Sequence, residues 1–286
     1  MNARIQPFFH ERTFTVSYLL SDPATKIGAV IDPVLDFDHK SGRTVAQSAD
    51  AIVAAAAGEG IEIVWILETH PHADHLSAAQ YLKRKTGAKV AIGADITKVQ
   101  IAFKPLFNAK EMATDGSQFD RLLCDGDRIP FGGMEFEVIH TPGHTPACVT
   151  YRVGDAAFVG DALFMPDSGT GRTDFPGGDA AALYRSIRRI LSLPPATRLF
   201  MCHDYKAPGR DRFAWETNVA EQRGKNVQIH DGISEAEFVR CRTARDRTLD
   251  MPLLILPSLQ VNLRAGGMPP PEDNGTVYLK LPVDRL

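Results

Sequence analysis

The sequence predicts a mixed α/β (α+β) fold, on three observations. A nearly continuous apolar run, IEIVWIL at 61–67, is followed by a short helical pattern, HLSAAQYLKRKTG, and by a second strand, KVAIG, which together make a β-α-β unit. The order of strands then helix returns downstream, where short strands give way to the amphipathic stretch DAAALYRSIRRILSL and then to the strand TRLFMCHDY. At 286 residues and 44% hydrophobic, the chain can bury a sizeable core.

From the N-terminus, TFTVSYLLSD and KIGAVIDPV read as a hairpin turning at Asp22-Pro23 and stopped by Pro33. Thr44 to Ala57 carries apolar side chains at helical spacing (Val45, Ala49, Ile52, Val53, Ala56) and stops at Gly58. The run IEIVWIL has the length and composition of a strand buried on both faces. The helix after it closes at Gly87, and helical material from Asp95 to Phe107 follows KVAIG. Four short strands come next, RIPFGG, MEFEVIH, ACVTYRV and AAFVGD, separated by glycine-rich turns. The helix with Leu183, Ile187, Ile190 and Leu191 on one face ends at Pro194-Pro195. Residues 1–224 read as the main domain, and 225–286 as a C-terminal extension packed on it: a helix from Glu235 to Arg245, the apolar LLILP, and the loop GGMPPPEDNG. Leu253 to Leu256 and Val277 to Leu279 are expected to be covered by that packing.

A net charge of −3 without a basic stripe argues against nucleic acid as a partner. The four cysteines, Cys124, Cys148, Cys202 and Cys241, are scattered and fit reduced thiols. No stretch resembles a signal peptide or a membrane span, so the expected location is the cytoplasm, away from any membrane.

The stretch LETHPHADHLS concentrates His70, His72, Asp74 and His75 at the C-terminal end of a predicted strand. In a turn, such side chains converge on one point, where they would repel one another and be costly to desolvate without a cation. Partners stand at comparable places downstream. His144 lies in HTPGHTPACVTY, a turn entering a strand; Asp161 ends AAFVGD; His203 ends LFMCHDY. The other histidines, His10, His39, His230 and His140, read as surface or structural residues. Asp32 reads as a turn cap and Cys148 as a small core residue in a strand.

THPHADH resembles the THxHxDH signature of the metallo-β-lactamase superfamily, and TPGHT, GD and HDY match its remaining metal motifs in order, from about Phe14 to Tyr205. The resemblance implies an αββα sandwich with a metal site at one edge. TPGHTPACVTY, GDALF, GRTDFPGGD, LYRSI and CHDY look like the persulfide dioxygenase branch, and the tail from Met251 looks like its longer bacterial form. The chain departs from the shorter, mitochondrial-type enzymes in a longer loop between Asp161 and Arg172, where Thr170 stands in place of their cysteine. Carried over, the branch's site is one Fe(II) per chain on His70, His144 and Asp161, a facial triad with three open positions. His72, Asp74, His75 and His203 would form a second shell or a second-metal site. The implied substrates are glutathione persulfide and O2, and a homodimer is a family expectation. Oxidising the sulfane sulfur to sulfite removes four electrons, the number that reduces O2 fully, so no external reductant is needed. The alternative is a glyoxalase II-type thioester hydrolase, whose two metals would use His70, His72, His144 and bridging Asp161, with Asp74, His75 and His203. Arg172 could meet a substrate carboxylate or pair with Asp174; Tyr205 could direct its hydroxyl at substrate, as a catalytic group, or pack a strand end; Lys206 adds charge at the same rim.

Overall fold

The structure is a computed structural model that describes residues 2–285. It opens with three antiparallel strands, β1 (Arg4–His10), β2 (Thr15–Ser21) and β3 (Ile27–Ile31). The expected hairpin is β2–β3. The unexpected β1 contains Pro7, which a sheet tolerates at its edge, and β1 is an edge strand. Next come β4 (Val34–Asp38), β5 (Arg43–Val45) and helix α1 (Gln47–Glu59). This helix starts later than expected and runs through Gly58 to a left-handed cap at Gly60 (φ 67°). Val45, expected on its buried face, lies in β5 and is 58% exposed.

The β-α-β unit is β6 (Glu62–Leu67), a two-residue β7 (Leu76–Ser77), α2 (Ala79–Thr86) closed by Gly87, and β8 (Lys89–Gly93). Then follow α3 (Ile96–Leu106), β9 (Arg121–Leu123), β10 (Arg128–Phe131), β11 (Met134–His140), β12 (Val149–Val153) and β13 (Ala156–Phe158). A 3-10 turn, Gly160–Ala162, precedes α4 (Ala180–Ile190), whose first turn is capped by Asp179 accepting from the Ala182 N–H. The chain ends with β14 (Arg198–Phe200), β15 (Glu216–Asn218), α5 (Val219–Lys225), α6 (Glu235–Asp246) and α7 (Ile255–Asn262). Two strands stop sooner than expected. Asp161 and His203 follow β13 and β14 instead of ending them.

Two six-stranded sheets, β1-β2-β3-β6-β8-β9 and β10-β11-β12-β13-β14-β15, face each other. Strand alternation sorts their side chains. From β2, Val16, Tyr18 and Leu20 point between the sheets and meet Phe136, Tyr151, Phe158 and Phe200, while Leu19 points outward. The outer face of the first sheet is covered by α1, α2, α3 and α7 through Ile52, Leu82, Phe103 and Leu259. The outer face of the second is covered by α4 and α6 through Leu183, Ile187, Ile190 and Phe238. The result is an αββα sandwich, as expected. No helix among the described residues is long and apolar enough to cross a membrane.

In the C-terminal segment Leu254 and Ile255 are buried, but Leu253 is 75% and Val277 43% exposed, against expectation. The residues near Val277 are held by polar contacts instead: Gln260 bonds the Lys280 carbonyl and N–H at 2.9 and 2.8 Å.

All four cysteines are free, with Cys124 and Cys241 exposed and Cys148 and Cys202 buried. Cys148 sits one residue before β12, not within it, and burial pushes its thiol up to about 12. Ellman's reagent should therefore count two thiols in the native protein and all four after denaturation. A third fast-reacting thiol in native buffer would contradict this burial.

Candidate active site

The β11, β13 and β14 strands share one direction. The loops leaving their carboxyl ends, together with the loop after β6, deliver seven chemistry-bearing side chains to one edge of the sandwich: His70, His72, Asp74, His75, His144, Asp161 and His203. Local glycines permit the approach. Gly160, at φ +52°, passes so near Thr69 that a Cβ there would lie 2.8 Å from Thr69 Oγ1. Gly143 crosses the first turn of α4 with room for no side chain, which seats the neighbouring His144.

The donors fall into two groups, each with ligand atoms mutually within 4.8 Å: His70, His144 and Asp161, and His72, Asp74, His75 and His203. Asp161 links them. Its Oδ2 lies 3.9 Å from His70 Nε2 and 3.7 Å from His144 Nε2, and its Oδ1 lies 3.5 Å from His203 Nε2. His70 Nε2, His72 Nδ1, His75 Nε2, both nitrogens of His203 and Asp161 Oδ1 are buried without a hydrogen-bond partner. Each such atom costs about 1–3 kcal/mol when left unsatisfied, so a cation among them is the fitting complement. The set consists of imidazoles and carboxylates without a thiolate, which suits iron, zinc or manganese. His144 Nδ1 lies 2.7 Å from the carbonyl of Arg172, which can only accept, so the proton sits on Nδ1 and Nε2 keeps its lone pair. Burial and the surrounding histidines lower His70 well below its usual range, and burial takes His75 down to about 4. Both rings are thus neutral, with lone pairs available, at physiological pH.

Beneath the histidines lie two buried carboxylates. Asp32, expected to cap a turn, instead accepts from the Thr69 N–H and hydroxyl at 2.7 and 2.8 Å and from His72 Nε2 at 3.0 Å. Its own backbone is left-handed (φ 49°), a conformation aspartate tolerates better than most residues. Glu68 approaches the same His72 nitrogen at 3.3 Å. Burial alone would lower His72, but these two acids outweigh it and push it well above its usual value. Their hold on Nε2 leaves Nδ1 facing the cluster.

A cavity of about 720 Å³ opens over the site. His144, Asp161 and Asp74 line it, together with Thr170, Arg172, Tyr205 and Lys206. Tyr205 stacks on His203 at 5.7 Å between ring centroids, so it both packs and reaches the cavity. Arg172 is already engaged, gripping Asp174 through Nε and Nη2 at 2.6 and 2.7 Å and the Asp250 carbonyl through Nη1 at 2.7 Å. Three other lining cations, Arg12, Lys206 and Arg245, are exposed and pair with no carboxylate among the described residues. Thr170 bonds Gln228 at 3.0 Å. His140 is structural, bonding the Pro146 carbonyl at 3.0 Å.

Sequence reasoning missed Asp32 and Glu68 as supports, Arg12 and Arg245 as lining cations, and Asn262 beneath the histidine loop. Two of these carried a signal: Asp32 and Glu68 are acids placed directly after the apolar runs IGAVI and IEIVWIL, where an unpaired charge would be costly. Arg12, Arg245 and Asn262 carried none, since their proximity is created by the tertiary fold.

A protein of Burkholderia pseudomallei named a probable metallo-hydrolase is 56% identical over 99% of both chains. Dictyostelium discoideum glyoxylase B2 is 46% identical over 99% of this chain and 98% of that one. The mouse mitochondrial persulfide dioxygenase ETHE1 is 28% identical over 93% and 90%. The chain spans 65% of the longer β-lactamase hydrolase-like protein of Agrobacterium fabrum, at 56% identity. Among solved structures, ETHE1 from Myxococcus xanthus superimposes with a TM-score of 0.74 at 30% identity, covering 92% of this chain and 99% of that one. Residues 11–203 match the model of the metallo-beta-lactamase superfamily, and with its fold and donor set this chain belongs to that superfamily as one of its enzymes.

Proposed function

We propose that the protein is a persulfide dioxygenase that converts glutathione persulfide, O2 and water to glutathione and sulfite at a single non-haem iron held by His70, His144 and Asp161. The observation that carries the reading is the two-histidine, one-carboxylate group itself, whose ligand atoms lie mutually within 4.8 Å and two of whose members, His144 and Asp161, line the cavity. His72, His75 and His203 are fully buried, which suits them to supporting that group, while Asp74 of their own set also reaches the cavity. The likeness to the persulfide dioxygenases supports the same choice.

Iron(II) on a two-histidine, one-carboxylate face would supply open positions for both reactants and the redox flexibility to move electrons between them. The reaction balances without a reductant, since the sulfane sulfur loses four electrons and O2 gains four, with the third oxygen of sulfite coming from water. The chain's own residues bind and orient. Arg12, Lys206 and Arg245 offer uncompensated positive charge to the two carboxylates of glutathione. Phe164, Leu249, Pro252 and Leu254 form an apolar wall that keeps water from the persulfide. In this reading the hydroxyl of Tyr205, a residue that lines the cavity, would donate a proton to the departing thiolate. The part of Arg172 is to hold its loop on Asp174, which fixes the carbonyl that orients His144.

The second reading is a two-metal thioester hydrolase, favoured by the intact four-residue group and by the likeness to glyoxylase B2. The His72 donor falls within 4.8 Å of those of Asp74, His75 and His203, and its ring centroid also lies 4.0 Å from that of His70, as the hydrolase ligand set requires.

With Fe(II) restored anaerobically, the protein should consume O2 when given glutathione persulfide and release one sulfite per O2. Hydrolysis of S-lactoylglutathione without oxygen uptake would replace the dioxygenase with the hydrolase. Metal analysis should find one iron per chain, retained in part by His203→Ala and lost in His144→Ala, since a site reduced to two ligands holds Fe(II) weakly. Two equivalents, one of them lost with His203, would point to the dinuclear site. Lys206→Ala and Arg245→Ala should each raise KM for glutathione persulfide roughly two- to fivefold with kcat nearly unchanged, the size of an exposed ion pair. A fall in kcat alone would place those cations at the reacting centre.

A further inference from the structure

We propose that Asn262, in the C-terminal segment, is the positioning residue of the histidine loop, so that the affinity of the metal centre depends on a side chain that ligates nothing. The inference rests on the cluster holding a metal and is independent of which reaction that metal serves.

Asn262 ends α7 and is 4% exposed. Its Nδ2 donates to the carbonyls of His72 and His75, both at 2.8 Å. Its Oδ1 accepts from the Ser77 N–H, also at 2.8 Å. One side-chain amide therefore uses both donor hydrogens and its acceptor on three backbone groups of a six-residue stretch that carries His72, Asp74 and His75. Among the described residues no other side chain reaches those two carbonyls. The earlier part of the loop is pinned differently: Asp32 holds Thr69, and Tyr151 donates to the Glu68 carbonyl at 2.8 Å. Asn262 thus holds the backbone of the later part of the loop, whose side chains are held separately, His72 by Asp32, and Asp74 and His75 by the Thr15 hydroxyl at 3.3 and 3.4 Å.

The seat of Asn262 is itself built. Leu259, Leu263 and Ala265 share a buried cluster with Ala73 of the loop. Gln100 donates to the Leu263 carbonyl at 2.9 Å. Gly266, at φ +82°, passes so near the start of α2 that a Cβ there would lie 2.8 Å from the Ser77 carbonyl. The amide is held on both sides, which makes it a fixed reference and not a surface group that happens to reach inward. The carbonyls it grips belong to His72 and His75 themselves, so releasing them loosens the backbone that seats His75 and leaves His72 held by its ring contacts to Asp32 and Glu68 alone. In the single-iron reading His72 and His75 are themselves the supports beside the ligand triad, so Asn262 acts on the metal through them, with an effect at or below the low end of the roughly 10- to 100-fold range typical of groups bonded directly to ligands. Coupling of this kind is reciprocal, so a bound metal should in turn protect α7 against local opening.

The test compares full-length Asn262→Ala with a destabilised control, Ile52→Ala, whose buried side chain belongs to α1. Fe(II) affinity is measured anaerobically by competition with a chromophoric chelator, without substrate, beside thermal melts of the metal-free proteins. Both variants should melt lower than the parent, but only Asn262→Ala should bind Fe(II) more weakly, by roughly three- to tenfold. Unchanged affinity in Asn262→Ala, or an equal loss in both, overturns the proposal. Should Asn262→Ala fail to fold, hydrogen exchange on the unmodified protein decides. On Fe(II) binding, amides of Ile255–Asn262 should gain more protection than those of Gln47–Glu59, and equal gains would refute the coupling.

Discussion

Everything at the working edge of this molecule follows from one electrostatic constraint. Several imidazole and carboxylate lone pairs are buried together without hydrogen-bond partners. Left alone, such a group is unstable, because each atom has given up water for nothing and the carboxylates repel one another. A cation resolves the conflict, but only if the ligands cannot relax apart before it arrives. The structure meets that condition by anchoring the loops from below. Asp32 and Glu68 hold one ring, the Arg172 carbonyl holds another, and Asp32 also holds the backbone that carries His70.

These anchors come from far apart in the chain, and the two-sheet architecture makes them neighbours. Asp32 follows β3, Glu68 follows β6, Tyr151 belongs to the opposite sheet, and Cys202 approaches Asp32 at 3.5 Å from beyond β14. The packed aromatic layer of Tyr18, Phe136, Tyr151, Phe158 and Phe200 sets the separation of the sheets. Close-packed interiors yield little to displacement, so that separation transmits directly to the distance between the His70 and His203 loops.

How much of this was legible in the sequence divides along physical lines. Local signals were read well wherever one residue decides the geometry: Gly87 closes α2, and the clustered histidines of LETHPHADHLS announce a cation site. Signals failed where a neighbour overrode local pattern. RIQPFFH looks poor as a strand until it is placed at an edge, where proline is tolerated, and Val45 fits a helical stripe until β4 claims it. The αββα arrangement itself came from a family resemblance and not from periodicity. Supports such as Asn262, 190 residues from the carbonyl it grips, carry no local mark at all.

The different supports of the two donor groups also bear on how one superfamily fold supports different chemistries. The four-residue group retains every side chain that a second metal would need, yet His72 is pinned by two acids and His203 lies beneath the Tyr205 ring. A residue already committed on one nitrogen by a charged partner is costly to reorient, and a ring covered by an aromatic neighbour is slow to exchange its surroundings. Whether such a site holds one metal or two is then decided less by the presence of ligands than by the stiffness of their supports.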